Sequence, residues 1–342
     1  MLRHLEYLFL IAFFHTACLA QSAPQDTATL SWIDEVLQGP ERQLKNYQFD
    51  PETSIESRVK KPNEHLLAYI RSFEHATEAA QPPTGSELQT VIDAIKMLPP
   101  LSQRIMDERV IEISFVKNLG YNGWTDWVVD ENGAIYCVMV FDQKALDFTL
   151  SEWLEGRINS CFKNDKSGIE IEIDCGNRYS GFLGILLHEA THVVDYIENI
   201  TPFVEPSIFE LGLKYGHQFR ESYPFVKGIW YGNASPAEEY NYPLRDSLTF
   251  YRPVDQRKLY LKEAALVINQ LPSTPFVSLY ASTSWAEDLA EISTFYHLTQ
   301  KLKQPYTITV IEGGESTVYH PMENPLVDAR FPVIERFYQT EP

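Results

Sequence analysis

The segment Gly181–Asn199 restricts the possible folds of this chain more than any other, because it is apolar on nearly every side yet carries two histidines and an acid at its centre. Phe182, Leu183, Ile185, Leu186 and Leu187 precede the run His188-Glu189-Ala190-Thr191-His192, and Val193 and Val194 follow it. Such a pattern predicts a helix covered all round by other elements. Burying two imidazoles and a carboxylate there costs several kcal/mol unless they are paired or bound to a metal.

The spacing favours a metal. Residues four apart on a helix are rotated by about 40°, so His188 and His192 leave one face a turn apart and can reach a single ion at about 2.0–2.1 Å. Glu189 stands one position round, where it can hold a water on that ion without ligating it. A catalytic zinc needs a third protein ligand and leaves the fourth place to water. Glu198 follows closely on the helix, but Asp195 stands where a sharp glycine turn would be required, so the helix runs on and carries Glu198 past the ion. Glu205, Glu210, Glu238 and Glu239 lie in a weakly helical region. The run Ser284-Trp285-Ala286-Glu287-Asp288-Leu289-Ala290-Glu291 is a better source: it opens a helix at a serine cap and aligns Trp285, Leu289 and Ile292 on one face. Glu287 is the expected ligand, and Glu291, a turn away, the expected acceptor behind a ligand imidazole.

Together, His-Glu-Ala-Thr-His-Val-Val-Asp-Tyr at 188–196, Tyr280 and the run Ala286–Glu291 resemble the catalytic domain of the gluzincin metallopeptidases related to anthrax lethal factor. The resemblance covers these motif segments and their order along the chain. It implies a zincin-like domain with one Zn2+ held by His188, His192 and Glu287, and Glu189 as the general base on a zinc-activated water. It further implies Tyr280, seven residues before Glu287, as the oxyanion donor, and Asp195 as a support behind the ligands. This chain departs from the family in the length of the interval between His192 and Glu287. An aromatic-rich insert at about 201–254 occupies it, with Tyr215, Phe219, Tyr223, Phe225, Trp230, Tyr231, Tyr240, Tyr242, Phe250 and Tyr251. Aromatics in a long loop serve either a lid over a cleft or a packing layer on the core.

The remaining chain fits an exported peptidase. A net charge of −19 repels phosphate backbones, so no nucleic-acid partner is expected; a peptide or protein substrate is. Residues 1–20 read as a cleavable signal peptide, with an apolar run Tyr7–Phe14 too short to span a bilayer, and imply a secreted or periplasmic protein. A lipid anchor at Cys18 is the weaker alternative, because His15 stands where a lipobox wants an aliphatic residue. Export permits a disulfide, and Cys161–Cys175 is the expected pair, closing a short polar loop, while Cys137 reads as a buried apolar residue.

The expected fold class is α+β: an N-terminal helical region at 21–100, bounded at Pro99-Pro100, then a catalytic domain at 101–342 with helices on one side of a small mixed sheet. A short helix is expected at Ser31–Leu37, and longer ones at His65–Ala79, Ser86–Met97, Ala145–Gly156, Gly181–Asn199, Asp255–Leu271, Trp285–Lys303 and Asn324–Tyr338. Strands are expected at Val110–Val116, Ala134–Phe141 and Ile169–Ile173, with a hairpin turning at Gly313-Gly314. Ile135–Phe141 is the expected edge for a bound peptide. Two rival readings are a zinc-stabilised exported binding protein without hydrolysis and a metal-free structural or adhesive exported protein.

Overall fold

A computed structural model describes residues 36–202 and 222–339. The expected signal peptide with Cys18, most of a short helix expected at Ser31–Leu37, Glu205, Glu210, Tyr215 and Phe219 lie outside the described residues. The described chain is of α+β class.

Its main sheet is mixed and has five strands, β1 (Val59–Lys60), β2 (Glu78–Ala79), β3 (Val110–Lys117), β4 (Gly123–Val129) and β5 (Ile135–Asp142). The order is β1-β3-β5-β4, with β2 also paired to β3; β1, β3 and β5 are parallel and β4 is antiparallel to β5. β5 therefore lies inside the sheet, and the expectation that its residues form a free edge is corrected: the edge is β4. Among the described residues, Gln43 pairs with Val129 at its far end, and Arg42 bonds the Trp127 carbonyl beside it.

Side chains alternate along β5 as a strand covered on both faces requires. Cys137, Met139 and Phe141 enter one apolar cluster, Val138 and Val140 another. α1 (Glu64–Phe73) closes the second face through Leu66, Leu67 and Ile70, so helices cover both sides of the sheet rather than the expected one. Against the first face pack α2 (Gly85–Met97), α3 (Pro100–Arg109), α4 (Leu150–Asn159) and α5 (Gly181–Glu198). Val91, Ala94 and Ile95 of α2 share a cluster with Phe182, Leu183 and Leu186 of α5, so one core runs across Pro99-Pro100. Pro100 opens α3, where its missing N–H is tolerated. Each large apolar side chain buried there contributes about 1.5–3 kcal/mol.

Beyond α4, β6 (Phe162–Lys163) pairs with β10 (Leu259–Tyr260), whereas β7 (Glu170–Asp174) pairs with β11 (Thr307–Glu312), which in turn pairs with β12 (Glu315–Tyr319). This divergence explains why the expected Cys161–Cys175 bridge is absent. The chain separates into two different sheets between the cysteines, and Cys161 and Cys175, like Cys137, are free, buried thiols. The β11–β12 hairpin turns where expected, with Gly313 and Gly314 both at positive φ (60° and 86°). A small hairpin of β8 (Trp230–Gly232) and β9 (Ser235–Pro236) lies in the insert. Of the helix expected at Asp255–Leu271 only α6 (Ala264–Ile268) forms, and prolines break the last one into α8 (Pro325–Asp328) and α9 (Phe331–Ile334). α7 (Trp285–Tyr296) forms as expected and continues as a π-helical turn, His297–Lys301. No helix among the described residues is long and apolar enough to cross a membrane.

Candidate metal centre

α5 and α7 pack side by side and supply all three candidate ligands. His188 and His192 project from one face of α5, and their Nε2 atoms stand 3.2 Å apart. α7 starts at Ser284, whose Oγ accepts from the Glu287 N–H at 3.2 Å, and this cap fixes the first turn that aims Glu287 at the imidazoles. Glu287 Oε2 lies 3.0 Å from His188 Nε2 and 3.7 Å from His192 Nε2. Among the described residues this is the group of side chains that could hold a metal ion.

The atoms fit such an ion better than they fit one another. Ligands about 2.0–2.1 Å from a tetrahedral centre stand about 3.3–3.4 Å apart, close to the three separations found. Glu287 Oε2 is buried and has no hydrogen-bond partner despite its neighbours. Charge points the same way. Burial alone would lower the His188 pKa, but the carboxylates of Glu287 and Glu291 outweigh it and push it up to about 10. Burial would raise Glu287, yet the two imidazoles hold it well below the usual carboxylate range. The cluster favours positive charge at its centre, which a proton or a divalent metal can supply.

Glu291 takes the expected supporting position: its Oε1 lies 3.0 Å from His188 Nδ1. A carboxylate only accepts, so Nδ1 carries a hydrogen, and Nε2 is the nitrogen turned to the centre. Asp195 lies within electrostatic range of His192 and is held from the other side. Its carboxylate accepts from the N–H and hydroxyl of Thr201, at 2.8 and 2.5 Å, and so ties down the chain leaving α5. Glu198 pairs with Arg104 at 3.7 Å, and Glu238 and Glu239 are exposed in a short 3-10 turn away from the ligand group.

Glu189 is buried beside the ligands. The Thr125 hydroxyl of β4 donates to its Oε2 at 2.7 Å, and that hydroxyl also lies 3.2 Å from the Glu189 carbonyl oxygen. Gly123 makes this approach possible, since a Cβ there would come within 2.9 Å of Glu189 Cγ. The ring of Tyr280 lies 5.8 Å from that of His188. Burial, with Glu287 and Tyr251 adding, raises its pKa well above the ordinary value, so it remains a protonated donor.

The described part of the insert packs on α7 and lines the site. Trp230 Nε1 donates to Asp288 on α7 at 2.8 Å, and Arg330 closes the same carboxylate with two bonds, which is packing. Phe250 and Tyr251 lie against Tyr280, at 4.8 and 6.2 Å between rings, and form a wall of the site. Four residues at or behind the site escaped the sequence reading: Gly123, Thr125, Arg157 and Ser278. Only Arg157 left a signal, falling four residues after Trp153 on the buried stripe of α4. The chain matches no protein-family model, no curated protein and no solved structure.

Proposed function

We propose that this protein is an exported zinc-dependent metalloendopeptidase with a zincin-like catalytic domain of gluzincin type. The reading is carried by one observation: the ligand atoms of His188, His192 and Glu287 converge, and the buried carboxylate of Glu189 stands beside them. Two nitrogen donors and one carboxylate suit Zn2+ rather than a hard cation that prefers oxygen alone.

A zinc ion held by these three residues supplies a centre of about +1 charge that polarises a carbonyl and acidifies water. Glu189, oriented by Thr125, takes a proton from the attacking water and returns it to the leaving amine. Tyr280 donates its hydroxyl hydrogen to the oxyanion formed from the peptide carbonyl. An extended substrate pairs with the open, N-terminal end of β4, the edge strand that also holds Glu189. Asp195 and Glu291 contribute at a distance, one fixing the end of α5 and the other the tautomer of His188.

Glu189→Gln tests the reading. The variant is expected to keep wild-type zinc content, about one per chain, while turnover of an unstructured protein substrate falls about 10²–10⁴-fold, the usual worth of a general base. Full turnover in the variant would overturn the mechanism. Zinc binding without turnover in the wild type would instead favour a zinc-stabilised binding protein.

A further inference from the structure

Arg157 is a cation buried on α4, only 4% exposed, and two of its contacts lead to the centre. Its Nη2 donates to Glu291 Oε2 at 2.5 Å, and the Ser278 hydroxyl donates to that same oxygen at 2.7 Å. Its guanidinium lies between two rings, 4.7 Å from the Trp153 centroid and 4.8 Å from that of Tyr280. Gly184 of α5 lets Trp153 come this close, since a Cβ there would meet its Cζ3 at 2.4 Å.

From this geometry we infer that Arg157 is a positioning residue that couples the metal ligand His188 to the phenol Tyr280. It acts through two arms, and the inference rests on the hydrolase reading above for the second of them. In the first arm, Arg157 and Ser278 occupy Oε2 of Glu291, which leaves Oε1 as the acceptor for His188 Nδ1–H. A guanidinium and a hydroxyl donor on Oε2 hold the carboxyl in one orientation, with Oε1 turned to the imidazole. The imidazole then has one tautomer and one orientation. In the second arm, the flat face of the guanidinium supports the Tyr280 ring. Stacking of this kind belongs to arginine; a lysine brings the charge without the plane.

The two arms separate in Arg157→Lys. Lysine keeps a charge for Glu291, so zinc retention against a competing chelator is expected to stay within about threefold of wild type. It loses the stack, so kcat on a peptide substrate is expected to fall about tenfold with KM little changed. In a Tyr280→Phe background the same substitution is expected to have no further effect on kcat. Arg157→Gln removes both arms, and zinc retention is expected to fall about 10–100-fold, the range for a lost partner behind a metal ligand. The d–d spectrum of the cobalt-substituted protein is expected to shift with it. Unchanged zinc retention and an unchanged cobalt spectrum in folded Arg157→Gln would overturn the first arm. If Arg157→Gln does not fold, Ser278→Ala reads that arm, with unaltered retention counting against it. Additive losses in Arg157→Lys/Tyr280→Phe would overturn the second. Failure of the hydrolase reading would look different: every variant, the wild type included, would lack turnover while the zinc measurements still reported on Arg157.

Discussion

The hydroxyls at this centre divide into those already engaged and one with no hydrogen bond to a described residue. Thr125 is committed to Glu189, and Ser278 to Glu291, whereas Tyr280 is fixed through its ring, against His188, Phe250, Tyr251 and Arg157. A hydroxyl held this way is available to a substrate oxygen. Tyr280→Phe is therefore expected to lower kcat about 10²–10³-fold with zinc content and KM nearly unchanged, as for the loss of one oxyanion donor. Steady-state kinetics on a peptide series check it; a loss confined to KM would show that the phenol only binds. The ligands were legible in the sequence for a geometric reason. His188 with His192, and Glu287 with Glu291, are pairs at helical spacing, and that spacing survives whatever the rest of the fold does. Thr125, Ser278 and Arg157 were not legible, because each reaches the site only after separate elements have packed.

At the scale of elements, β4 shows how a strand is lost between turns. The sequence places turn residues on both sides of Gly123–Val129, and the short run between them carries no clear alternation, although this strand forms the edge and holds Glu189. The helix expected at His65–Ala79 ends at Phe73 because the Thr77 hydroxyl bonds to the Asn118 carbonyl and draws Glu78–Ala79 onto β3. α7 was read correctly in extent but not in kind, since its last turn is π-helical. His297 in that turn anchors it to the C-terminal segment through a 2.8 Å bond between its Nδ1 and the Tyr338 hydroxyl. Burial lowers the His297 pKa to about 4, whereas an unfolded histidine titrates near about 6.5. Between those values the unfolded chain binds the extra proton. The contribution is thus present above about pH 6.5 and is lost as pH falls toward about 4, on the order of 3 kcal/mol in all. Denaturant melts at several pH values are expected to show this slope in the wild type and a shallower one in His297→Gln. An equal slope in both would remove His297 as its source.

For the whole molecule, the α+β class followed from strands early and buried helices late, and one apolar core joins the N-terminal helix α2 to α5 and α7. The misplaced disulfide has the same origin as the missed residues. Proximity in sequence implied proximity in space, but Cys161 and Cys175 lead into different sheets, and burial keeps both as thiols, with Cys175 pushed up to about 12. The account depends on two helices, far apart in the chain, meeting so that three side chains share one ion. Anomalous diffraction at the zinc edge, from crystals grown with one equivalent of zinc, tests this most directly. The account expects a single strong peak between His188 Nε2, His192 Nε2 and Glu287 Oε2, about 2.0–2.2 Å from each. No peak there, or zinc bound elsewhere with Glu287 turned away, would contradict it.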